Sequence, residues 1–253
     1  MTDRKARTIA TAIVTATTIL VAVFAMWRVV RRGEPHVEVD RAVYPVAGID
    51  LSAHNGAVDF DSVAAAGISF VYLKASEGSG FRDPSFRDNH ARARGAGLAV
   101  GAYHFFRFDC DGRSQADNIL AATDTLPLDL PLAIDIEEWG NPADVSTDVI
   151  IGRLQSMEAS LRGAGRKVIV YTNKDGYSRF VALAYADSLP ELWICSFTNP
   201  PLPHGRWRLW QHSHMGRVPG VPEPVDLNTF NGTRPAFSSW LSDNTAKRDH
   251  LRN

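Results

Sequence analysis

Residues 131–139 read PLAIDIEEW, an apolar run that carries Asp135, Glu137 and Glu138 inside what otherwise looks like a buried strand. Carboxylates are rarely buried unless something pairs or uses them. In a strand, residues i and i+2 share a face, with Cα atoms roughly 6.5–7 Å apart. Asp135 and Glu137 are therefore expected to face inward together, with Ile136 and Glu138 turned away. Two carboxyl groups held close in partial burial cannot both ionise freely, so one is expected to keep its proton to a raised pKa. Glycosidic cleavage asks for such a pair: an acid for the leaving oxygen and a charged carboxylate for the developing cation or its surrogate. Aromatic side chains suit such a site, because a pyranose ring has an apolar C–H face.

Other strand-like segments offer further candidates. Asp50 ends the segment 47–52, and Glu77 follows 69–76. Tyr103 and His104 lie in 98–108, and Tyr171 and Asn173 end 167–173. Trp210 and Gln211 lie in 206–213, and Asp226 opens 224–230. Each has a plainer reading when taken alone. Asp50 and Asp226 could be hydrogen-bonded turn residues, His104 a structural hydrogen-bonding group, and Tyr103, Tyr171 and Trp210 plain core. Asp59 and Asp61 read as caps of the helix that follows them. His212 and His214 alternate along a strand, but with no third ligand close by they do not make a metal site. No metal or other cofactor is expected.

The elements that must position these groups follow from the pattern. Strand segments 47–52, 69–76, 98–108, 130–137 and 167–173 alternate with helical segments 59–67, 83–97, 114–126, 146–165 and 174–185. Segments 191–197, 206–213 and 224–230 then follow closely, separated by Pro- and Gly-containing turns with no room for full helices. Alternation of strand and helix implies a parallel sheet, and eight strands suggest closure. The expected fold is α/β, an irregular barrel with a helix-poor final third, over residues 46–241. In such barrels chemistry gathers at the C-terminal ends of the strands. Asp50, Asp135, Glu137 and Asp226 would converge there. Residues 242–253 read as a polar tail.

The 253 residues are 45% hydrophobic, enough for one sizeable core, and the net charge of −1 is spread without a basic stripe, which speaks against nucleic acid. The two cysteines, Cys110 and Cys195, make neither a disulfide framework nor a zinc motif and read as unpaired. The N-terminus is basic over 1–7, and residues 8–27 carry no charge, a length matching a bilayer core. A transmembrane signal anchor over 8–30 is expected, with a cleaved secretory signal as the alternative. Basic residues flank the segment on both sides, so charge alone does not orient it. Residues 31–45, polar with two prolines, read as a linker.

From about Val46 to Phe230 the chain resembles the glycoside hydrolase family 25 lysozymes, N-acetylmuramidases of the Chalaropsis type. The matching pieces are GIDLSAHNG, FVYLKASEG, GAYHFF, AIDIE, VIVYTN, LWICSF, LWQHS and VDLNTFNG, in the family's order. The resemblance implies a TIM-like (β/α)5β3 barrel that cuts the β-1,4 bond between N-acetylmuramic acid and N-acetylglucosamine in peptidoglycan. It implies Glu137 as general acid and Asp135 as the carboxylate that assists through the substrate's acetamido group. It makes Asp50 and Asp226 the other acids of the pocket. Tyr103, Tyr171, Trp210, Gln211 and Asn173 would line the groove, with Glu77 at its edge. LWICSF departs from the aromatic-ended pattern common in the family, with Phe197 where a tyrosine hydroxyl is usual. A non-catalytic glycan-binding barrel is the alternative reading. A monomer is expected, its N-terminus cytoplasmic and its barrel on the extracytoplasmic side, where peptidoglycan lies.

Overall fold

The computed structural model describes residues 37–186, 188–198, 201 and 207–249, with side chains to residue 244. The apolar segment 8–30, and the anchor expected from it, lie outside the described residues. Among the described residues no helix is long and apolar enough to cross a membrane.

Eight strands close into a barrel: β1 (Ala47–Leu51), β2 (Ile68–Glu77), β4 (Ala99–Phe105), β5 (Leu132–Asp135), β6 (Val168–Asn173), β7 (Glu191–Cys195), β8 (Trp207–Gly216) and β9 (Val225–Phe230). A two-residue strand β3 (Phe81–Arg82) folds back on β2 as a hairpin absent from the expected elements. From β1 through β8 the barrel neighbours run parallel, while β9 runs antiparallel to both β8 and β1. This reversal departs from an all-parallel barrel, and the site depends on it. A parallel strand opened by Asp226 would place that residue at the opposite rim. The antiparallel register instead sets Asp226 opposite Asp50.

Helices Phe60–Ala65, Phe86–Gly95, Gly112–Ala122 and Thr147–Gly163 follow the first four barrel strands. In the last of these, Ile150, Leu154, Met157 and Leu161 are buried at helical spacing, the stripe that packs on a sheet. Segment 174–184 is helical with a π-helical middle, Tyr177–Val181. Alternate strand residues divide the core. Ile49, Leu51, Val71, Leu73, Ile134, Ile136 and Val170 face the helices. Phe70, Tyr72, Ala133, Ile169, Trp193, Leu209 and Phe230 fill the barrel. Glycine makes room for the Tyr72 ring, since a Cβ on Gly101 would lie 2.5 Å from it.

Two further regions differ from expectation. A C-terminal helix, Arg234–Asp249, runs through the presumed boundary at 241 and closes the barrel floor with Phe237 and Trp240. The described part of the presumed linker is docked on the barrel. The Val37 amide donates to the His212 carbonyl at 3.0 Å, and Tyr44 packs against Trp207 and Trp210.

Candidate active site

The upper interior of the barrel is built from the residues just above the aromatic filling. Asp50 is buried in β1, and its Oδ2 accepts from Asn228 Nδ2 at 2.7 Å and Gln211 Nε2 at 3.0 Å. Gln211 Oε1 in turn accepts from the Tyr171 hydroxyl at 2.8 Å, and Asn228 Oδ1 from Trp193 Nε1 at 2.8 Å. The result is a buried chain, Tyr171–Gln211–Asp50–Asn228–Trp193, in which both amides have a use for oxygen and nitrogen. Such a network fixes orientation, because breaking any member strands another polar group out of water. Asp226 shares a side-chain hydrogen bond with Asp50, so one of the two carries a proton. Burial, then the Asp50 charge, pushes Asp226 up to about 9.

Asp135 ends β5, opposite Phe105 on one side and Tyr171 on the other. The ladder continues one step, since the Ile136 amide donates to the Tyr171 carbonyl, and the alternation carries Glu137 to the same face as Asp135. Ile136 turns into the helix-facing core, and Glu138 is exposed and paired with Arg179. Glu137 is partly exposed where Asp135 is buried. Burial, then the Asp50 charge, raises Glu137 to about 7. Asp135 is raised well above the ordinary carboxylate range by burial first, then by the Glu137 and Asp50 charges. Its Oδ1 is buried with no hydrogen-bond partner among the described residues, an arrangement that is costly in a folded protein. Lys74 is the cation that pulls both groups down, but its Nζ is 2.7 Å from Glu77 Oε2, which spends part of that charge.

The remaining expected residues divide. Tyr103, on β4 beside Lys74 and Ala133, lies among the carboxylates. Burial raises its hydroxyl first, followed by the charges of Asp50, Asp135 and Asp226. Glu77 sits at the rim, held by Lys74 and by Arg107 at 3.7 Å. Asn173 lies at the end of β6, with its Oδ1 accepting from the Gly176 amide as a helix cap. Phe197, just past β7, packs edge-on to His214 with ring centroids 4.6 Å apart. Trp210 does not join the groove. It alternates with Gln211, faces the outside of β8 under Tyr44, and donates to the Ser196 carbonyl. His104 likewise points away from Tyr103 and is enclosed by Ser76 and Gln115. Burial lowers its pKa to about 4, which keeps it neutral.

Asn228, Trp193 and Lys74 belong to the site and were not among the expected residues. Asn228 follows Asp226 by two, the same spacing that singled out Asp135 and Glu137. Cys110 and Cys195 are both free thiols. Cys195 faces inward beside Tyr171, and burial pushes its thiol up to about 12, so it stays protonated. Among the described residues, no group of three His, Cys, Asp or Glu side chains could hold a metal ion.

The model of the glycosyl hydrolases family 25 matches residues 49–221. Lysozyme M1 of Streptomyces globisporus is 34% identical over 217 residues, covering 79% of this chain and 72% of its own. Among solved structures, a family 25 glycosyl hydrolase from Bacillus anthracis superposes with a TM-score of 0.73 at 30% identity, covering 82% of this chain and 98% of that one. The bacterial lysozyme from Streptomyces coelicolor gives a TM-score of 0.68 at 30% identity, covering 79% and 98%. With the match spanning Asp50, Asp135 and Glu137, the chain belongs to the glycosyl hydrolases family 25 and is a glycoside hydrolase of the lysozyme kind.

Proposed function

We propose that the chain hydrolyses the β-1,4 bond between N-acetylmuramic acid and N-acetylglucosamine in peptidoglycan, with Glu137 as general acid and Asp135 as partner of the substrate's acetamido group. The observation that carries this reading is the placement, two residues apart at the end of β5, of a partly exposed Glu137 raised by burial to about 7 and a buried Asp135 whose Oδ1 has no partner among the described residues. Glu137 gives its proton to the leaving glycosidic oxygen. Asp135 accepts the acetamido N–H and turns the acetamido carbonyl oxygen onto C1, where it displaces the leaving group. Accepting that N–H favours the ionised form of Asp135, which offsets the rise caused by burial. Water then opens the cyclic intermediate at C1, with the Glu137 carboxylate taking its proton. Asp50, held by Gln211, Asn228 and Asp226, supplies the fixed charge behind the pair. Tyr103, Tyr171 and Gln211 line the seat of the sugar, and Phe197 leaves one hydrogen-bonding position without a hydroxyl.

Peptidoglycan lies outside the cytoplasm. The apolar segment 8–30 therefore reads as a single-pass anchor with its N-terminus cytoplasmic and the barrel, over 46–241, outside. Cleavage after that segment would release the same barrel.

The test is muropeptide release from purified cell walls by the full chain and by Glu137→Gln. Loss of the acid should lower kcat by about 10²–10⁴-fold. Wild-type activity should fall as pH rises through about 7, where Glu137 gives up its proton. Equal release by both proteins would overturn the role of Glu137, and binding without new reducing ends would make the barrel a glycan-binding module. Attack by the acetamido group predicts a product of retained configuration. An inverted first product would instead give Asp135 the task of activating water.

A further inference from the structure

One side of the rim carries aromatic rings that the carboxylate chemistry does not use. Trp139, two residues beyond Glu137, is 80% exposed, and Phe81, which opens β3 opposite Glu77, is 50% exposed. Single exposed apolar residues are ordinary on protein surfaces. These two differ in standing on segments that are tied to the site. Asn141 Nδ2 donates to the Glu137 and Phe106 carbonyls, each at 2.9 Å, and its Oδ1 accepts from the Phe108 amide at 2.8 Å. Arg107 Nη1 donates to the Gly140 carbonyl at 2.6 Å while also facing Glu77. Gly140 itself adopts φ +74°, which closes the turn behind Trp139. The loop is thus a tied turn that presents a tryptophan to solvent.

Phe81 is joined through Lys74 and Phe105 to the turn that carries Trp139. Lys74 Nζ lies 5.6 Å from the centre of the Phe81 ring and 5.1 Å from that of Phe105. Phe105 is the strand partner of Asp135, and its ring lies 3.5 Å from where a Gly140 Cβ would stand. Phe81, Lys74, Phe105 and the Trp139 turn therefore form a continuous edge beside Asp135 and Glu137. Water-exposed aromatic rings beside a glycan-cutting site suit the C–H face of a pyranose ring.

We infer that Trp139 and Phe81 form an aromatic ledge that seats a saccharide of the glycan strand next to the bond being cut. This rests on the muramidase reading and names part of that substrate's seat. Trp139 and Phe81 are positioning residues: they set where the strand lies, and the acid is elsewhere.

The probe is a peptidoglycan-derived hexasaccharide, with its dissociation constant measured by calorimetry on the full chain carrying Glu137→Gln so that the strand stays intact. Adding Trp139→Ala should weaken binding about 3–10-fold, the range of one aromatic stacking contact. Trp139→Tyr should recover most of it, and Leu183→Ala, exposed on the 174–184 helical segment, should change nothing. In the active chain, Trp139→Ala should raise KM for long glycans with kcat within about twofold, and should matter less for the shortest cleavable oligomer. An unchanged dissociation constant in both Trp139→Ala and Phe81→Ala would overturn the ledge while leaving cleavage, and the muramidase reading, intact. Weakened binding by Trp139→Ala in a chain whose wild type makes no new reducing ends would keep the ledge and remove the reaction. Loss of binding to anionic lipid vesicles, with hexasaccharide binding unchanged, would assign the rings to a membrane surface and overturn the inference.

Discussion

Asp135 and Glu137 stand two residues apart, yet the fold treats them differently. Glu137 keeps access to solvent and a pKa near neutrality, while Asp135 is enclosed with one oxygen unpartnered. Asp50, Asp135, Glu137 and Asp226 are all raised, chiefly by burial. A carboxyl group whose folded pKa exceeds its unfolded value gives its full stabilisation below the unfolded pKa and loses it as pH rises through the folded value. The chain should therefore be more heat-resistant near pH 5 than near pH 9. Asp135→Asn should flatten part of that slope and raise stability at pH 8 by roughly 1–3 kcal/mol, a gain of several degrees in Tm. A lower Tm for the variant at pH 8, measured by calorimetry, would mean that the buried charge is compensated after all. On the proposed mechanism activity should move the other way, since an amide carries no charge with which to hold the acetamido N–H. At this scale the sequence was largely readable, because a period of two assigns each strand residue to a face. The same period shows why Trp210 and Gln211 cannot both face inward, and it points from Asp226 to Asn228.

At the scale of elements, the direction of β9 decides whether Asp226 reaches the site. Five alternations of strand and helix made a parallel sheet legible, but the last strands carry no helix to fix their sense. Only eight residues separate β8 from β9. A parallel crossover needs a dozen or more, so the short link was a readable sign of a hairpin-like return. The interior spacing of β2 and β4 was less accessible. Tyr72 fills the barrel, donates to the Pro131 carbonyl at 3.1 Å, and stacks at 4.7 Å on Trp193, the residue that holds Asn228. Gly101 is the space that ring occupies. Gly101→Ala should displace Tyr72 and cost roughly 1–3 kcal/mol by overpacking, read as a lower urea midpoint. Because Tyr72 supports Trp193 and through it Asn228 and Asp50, activity at a temperature where the variant is folded should also fall. An unchanged midpoint would show that the barrel interior relaxes freely at this layer.

For the molecule as a whole, one end of the barrel performs chemistry and the other must be sealed. The seal is the C-terminal helix, whose signal in the sequence was faint because apolar Phe237, Trp240 and Leu241 are set among polar residues. Their spacing continues to Asn244, which is buried and donates to the Asp129 carbonyl at 2.9 Å. Lys167 meets the Asp243 carbonyl, and Trp240 Nε1 donates to Glu191 Oε2 at 2.9 Å. These contacts tie Asp243 and Asn244 to the barrel floor, so the start of the presumed tail is part of the fold. A chain ending at 241 keeps Phe237 and Trp240 against Phe70 and Phe230 but loses the last turns that hold them there. It should unfold at a lower urea concentration, by about 1–3 kcal/mol of stability, with muropeptide release at room temperature retained because the carboxylates lie at the opposite rim. Replacing Phe237 by Ala in the full chain should cost more, about 3–5 kcal/mol, because it opens a cavity under the aromatic layer. Matching urea midpoints for the 241-residue chain and the full chain would return residues 242–253 to the role of a tail.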